Sequence, residues 1–153
     1  MKGFRFRLDP VLAHRERVER ERAGEHARRL ADQLAAEADR DDLIARRDRA
    51  RRSLLEDHGS LDGDRLRFTY AHLEYLDRAI ISAQQRVDAC AVETGHAHAA
   101  LVAAAKDRKV LETLKERRKE AFQYETALAE QRELDDLNAR LFDRAHPLEE
   151  LPS

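Results

Sequence analysis

Glu93 and His96 stand three residues apart, the E-x-x-H spacing with which a helix presents a carboxylate and an imidazole to a di-metal centre. Such a centre needs a second E-x-x-H and further carboxylates, and the sequence has no second copy. His96 and His98, two apart, point to different faces of a helix, so solvated or seam-edge histidines are the plainer reading. Cys90 is the only cysteine, which excludes an internal disulfide. A reactive thiol needs exposure and a cationic neighbour, and only Arg86, four residues away, offers one. As a small apolar residue Cys90 fits a packed seam instead. Serine occurs at 53, 60, 82 and 153, with no base placed beside it, and there is no Gly-rich phosphate loop, nucleophile elbow or C-x-x-C pair. Catalysis needs groups that converge in a dry pocket. The chain is expected to be no enzyme and to hold neither cofactor nor metal.

Phosphate binding is the other chemistry on offer. The stretch "AAKDRKVLETLKERRKEAF" carries Lys106, Arg108, Lys109, Lys115, Arg117, Arg118 and Lys119 against four acidic residues. Cations in such a row can contact a nucleic-acid backbone. Aromatic residues for base stacking are sparse, acidic residues interrupt every turn, and the net charge is −2. No nucleic acid is expected as a partner, which leaves a solvated face or a protein docking surface.

The elements that carry these residues follow from composition. Charged residues make up 39% of the 153-residue chain and aromatics 5%, with no Trp and three Pro. That mixture favours long helices with a narrow buried seam over a thick core. The N-terminus "MKGFRFRLDPVL" lacks the apolar core of a signal peptide, and no run of 18 apolar residues exists to span a bilayer. A soluble cytoplasmic protein is expected.

Asp9 and Pro10 suit an N-cap and first helical position. Apolar residues then recur at Val11, Val18, Ala23, Ala27, Leu30, Leu34, Ile44, Leu54 and Leu55, weakening over "EADRDD", residues 37–42, where a register shift is plausible. "DHGSLDGD", residues 57–64, is the one strong internal break. Beyond it a second helix can run roughly 80 residues to near Pro147. Its seam is the clearest signal in the chain. Leu73, Ile80, Val87, Thr94 and Leu101 lie seven apart, and Leu76, Ala83, Cys90, Ala97 and Ala104 form a parallel series offset by three. The expected fold is all-α: a single-domain, long antiparallel two-helix coiled-coil hairpin, with helix 1 over about 5–57, a turn at 58–63, a longer helix 2 over about 64–143 and a tail at 144–153.

Folding near residue 60 sets residue i opposite about 121 − i. Residues from about 118 to 142 then lack a partner in their own chain, although they include Ala121, Phe122, Leu128, Leu134, Leu137, Leu141 and Phe142. An unpaired helix with apolar residues along it is frayed or bound to something. A second candidate surface is "RLRFTYAHLEYLDRAI", residues 65–80, where Phe68, Tyr70 and Tyr75 are more than one seam can bury. Exposed aromatics near a helical tip serve as interface anchors or wrap the turn.

Three stretches, in order, resemble the FliJ family of flagellar type III export: "FRFRLDPVLAHRE", "YAHLEYLDRAI", and "AAKDRKVLETLKERRKEAF" followed by "QRELDDLNA". The resemblance implies an antiparallel coiled coil akin to the shaft of rotary ATPases. It implies insertion into a hexameric export ATPase, contact with the cytoplasmic domain of the export gate membrane protein, and handling of export chaperones. It thereby implies a peripheral place at the inner face of the cell membrane, held through partners alone, in a motility system. By position, the gate-facing surface would include Phe68, Tyr70, His72, Leu73, Leu76 and Ala79, with His72 standing where the family more often has an aromatic. The ATPase-facing end would include Phe4, Arg5, Phe6, Arg7, Arg15, Arg117 and Arg118. A virulence-type stalk protein and a generic coiled-coil adaptor share this architecture.

Overall fold

The computed structural model describes residues 3–57 and 62–145. It is all-α and contains two helices, α1 (Asp9–Glu56) and the longer α2 (Gly63–Ala145), paired as an antiparallel hairpin. Helix 1 was expected from about residue 5, but residues 3–6 are not helical. The cap also lies one residue earlier than the sequence suggests. The Leu8 carbonyl accepts the first helical bond, from Leu12 N–H at 2.9 Å, so Asp9 is already inside the first turn. Its carboxylate there favours the positive end of the helix dipole and accepts a hydrogen bond from Lys115 Nζ at 2.7 Å. Most of the expected turn, and the tail beyond Ala145, lie outside the described residues.

The chain divides into two compact units. One comprises residues up to His14 and from Asp107 onward, and the other is Arg15–Lys106. In the Arg15–Lys106 unit the expected α2 seam is occupied throughout. Leu73, Leu76, Ala83, Val87 and Ala104 are buried, and Ile80, Cys90, Thr94, Ala97 and Leu101 are half-buried. Thr94 keeps its hydroxyl satisfied in this apolar row, 2.9 Å from the Cys90 carbonyl and 3.1 Å from the Arg29 carbonyl of α1. Facing residues total about 124 (Arg40 with Gln84, His26 with His98) rather than 121. The fold point therefore lies nearer residue 62.

The α1 face meets its expectation only in part: Val18, Ile44 and Leu54 are half-buried, but Val11 is exposed. Leu30, Leu34 and Leu55 are exposed, as are Ala23 and Ala27. The positions turned inward run 26, 29, 33, 36, 40, 43, 47, 50 and 54, and include His26, Arg29, Gln33, Arg40 and Arg47. This rhythm passes through residues 37–42 without a shift. The facing register sets the small residues Ala83, Cys90 and Ala97 about level with Arg40, Gln33 and His26, and small residues leave room for the stems of long side chains whose polar ends reach the edge. Arg40 reaches Gln84 at 3.0 Å, and Arg47 and Arg51 reach Asp77 at 3.7 and 3.4 Å. Glu25 accepts from Arg28 and Arg29, which holds its carboxyl below the usual 4.5.

Gly24 and Gly95 lie inside the two helices, and a Cβ added at either meets nothing within 4 Å. Neither glycine serves a close approach. Gly24→Ala should therefore raise stability by about 1 kcal/mol, the helix-propensity difference, read as a higher urea midpoint by circular dichroism.

Candidate protein-docking surfaces

In the Arg15–Lys106 unit, the first turns of α2 present two stripes of apolar and aromatic residues. Leu66, Tyr70 and Leu73 are spaced i, i+4, i+7 and line a groove of about 730 Å³ with Arg51, Glu74 and Asp77. Leu73 forms its floor, 8% exposed, while Tyr70 remains 58% exposed. Phe68, His72 and Tyr75 have the same spacing on another face, and the two aromatics are 75% and 65% exposed. Of the six residues expected to face the gate, Phe68, Tyr70 and His72 are on the surface. Ala79 is half-buried, and Leu76, at 2%, is the most deeply buried large side chain described. Tyr75 and Leu66 were missing from that set. The i, i+4, i+7 spacing from Phe68 and to Leu73 is the signal that finds them.

In the unit that joins the N-terminal residues to residues from Asp107 onward, the F-R-F-R segment alternates. Phe6 is buried and Phe4 half-buried, with its ring 5.8 Å from that of Phe122. Arg5 and Arg7 point outward. Phe4 thus anchors the segment on α2 while Phe6 is buried, and the cations are left for other contacts. Arg117, Arg118 and Lys119 are exposed. Lys115 is engaged by Asp9 and Arg108 by Glu112. Arg15, half-buried, belongs to the Arg15–Lys106 unit, so the structure assigns the expected ATPase-facing residues to both units. Within this unit Phe4 packs opposite Phe122, and Thr126 and Leu128, expected without cover, are also half-buried, so the wholly exposed stretch starts at residue 129. Beyond it, every residue from 129 to 145 whose burial is described is exposed. Leu134, Leu137 and Leu141, spaced i, i+3, i+7, are 61%, 53% and 61% exposed.

Glu93 and His96 are both exposed, and among the described residues no three or more His, Cys, Asp or Glu group as a metal site. No helix of the described residues is long and apolar enough to cross a membrane. The family model described as "Flagellar FliJ protein" matches residues 4–146. No curated protein matches the chain. A solved structure of a YscO homolog from Chlamydia trachomatis is similar, at 20% identity and a TM-score of 0.46, covering 97% of this chain and 100% of that one.

Proposed function

The chain belongs to the family of flagellar FliJ proteins, and from that premise we propose that it is the non-enzymatic central stalk of a flagellar type III export ATPase. The stripe Leu134, Leu137 and Leu141 carries this reading. Three leucines on one helix face, each more than half exposed, suit the apolar wall of a ring better than water. Arg117, Arg118, Arg5 and Arg7 add exposed cations, whose contacts with acidic side chains are individually weak and exchangeable. At the start of α2, Phe68, Tyr70 and Tyr75 are the anchors offered to the cytoplasmic domain of the export gate, and the same exposed helices are available to export chaperones. Contact with the membrane runs through these partners.

The test is ATP turnover by the purified hexameric export ATPase with and without the chain. Turnover should rise at saturating ratio, while the chain alone hydrolyses nothing. Unchanged turnover together with absent binding rejects the stalk. The same stripe could pair with a second copy, and light scattering separates the two: a monomer mass at modest concentration excludes the homodimer.

A further inference from the structure

We propose that His26 and His98 form a two-imidazole clamp for a divalent transition-metal ion of the zinc, nickel or copper class, closing α1 onto α2 within the Arg15–Lys106 unit. Their ring centres are 5.4 Å apart and the ring planes are inclined by 53°. Metal–nitrogen bonds of about 2.0–2.1 Å put each ring centre about 3.2 Å from the ion, so two imidazoles on one tetrahedral ion have centres about 5.3 Å apart. The observed spacing already meets that requirement without moving either helix. Rotation about the terminal side-chain torsion, which is broad and two-fold for His, can turn a ring nitrogen of each toward the shared space. His26 is half-buried at the inner face of α1 and His98 exposed on α2, so an ion enters from solvent and water completes its shell.

Arg28 and Arg29, next to His26 on α1, are held by Glu25 at 2.7 and 2.9 Å, which neutralises one of their two charges, so the imidazole nitrogens must supply the affinity for the ion. Imidazole selects zinc, nickel and copper over magnesium and calcium, which prefer oxygen ligands. Because the two ligands come from different helices, the ion binds the paired arms better than separated ones and stabilises the pairing. The clamp requires neither an export ATPase nor a gate protein.

Titrating the full chain with Ni²⁺, Zn²⁺ or Cu²⁺ alone tests it. Calorimetry should show one ion per chain and the melting temperature should rise, whereas Mg²⁺ should change nothing. Electron spin resonance of the Cu²⁺ form should show two coordinated imidazole nitrogens. His26→Gln and His98→Gln should each weaken binding about tenfold or more, because a chelate becomes a single ligand, and His96→Gln should leave it intact. His98 is exposed, so its variant keeps the fold and decides the matter even if His26→Gln does not. An unshifted melting temperature with all three ions, or affinity unchanged in His98→Gln, overturns the clamp.

Discussion

Leu76→Ala lowers the stability of the chain by about 2–4 kcal/mol, as expected for a large side chain removed from a packed site. Leu76 is 2% exposed and stands beside Leu73, at 8%, in the row that α2 turns toward α1. The seam is one side chain deep, so few neighbours can close a cavity there. Chemical denaturation followed by circular dichroism measures the loss, and a shift under 1 kcal/mol would show that the seam collapses freely. Tyr70→Ala is the informative companion. Tyr70 is 58% exposed, so the fold should keep its midpoint while affinity for the gate domain falls by about tenfold or more, the loss expected of an aromatic anchor. Equal affinity for the two proteins would move the gate surface to the Phe68, His72 and Tyr75 stripe.

The second large effect concerns the far part of α2. A variant carrying Leu134→Gln, Leu137→Gln and Leu141→Gln should bind the export ATPase about 100-fold more weakly and lose its stimulation of ATP turnover. Three interface leucines at about 1 kcal/mol each give that factor. Glutamine matches leucine closely in helix propensity, and the three sites are exposed, so the melting curve should hardly change. Retained stimulation by this well-folded variant would place the ATPase contact on the Arg5, Arg7, Arg117 and Arg118 surface instead.

What the sequence discloses depends on which side chains do the packing. The α2 row was legible because Leu73, Leu76, Ile80, Ala83 and Val87 are apolar at heptad spacing. The inner face of α1 was legible only in part: Val18, Ile44 and Leu54 are half-buried as expected, but Arg29, Gln33, Arg40 and Arg47 share that face and their ends are charged or polar. A search by apolarity instead finds Leu30 and Leu34, which face water. The Asp9–Pro10 cap was placed within one residue, a usual uncertainty for helix ends, whereas the helix start expected near residue 5 ran about four residues early. The packing of Phe4 on Phe122 was out of reach, since it depends on the path of a non-helical segment that carries no periodicity. The aromatic surface at the start of α2 was legible as an excess over what one seam can cover. Its split into two stripes follows from the i, i+4, i+7 spacing from Phe68 and to Leu73, a signal that the sequence carries.

Among the described residues only eight apolar side chains are buried, and many of their neighbours are argininium or amide stems with hydrated ends. Melting such a molecule exposes little oil per residue and much polar surface, and these two change the heat capacity in opposite directions. The step in heat capacity should therefore fall below the common ~12–15 cal/mol/K per residue. Its free-energy dome over temperature is correspondingly broad and shallow, so warming or chilling the cell alters the grip between the arms only slightly.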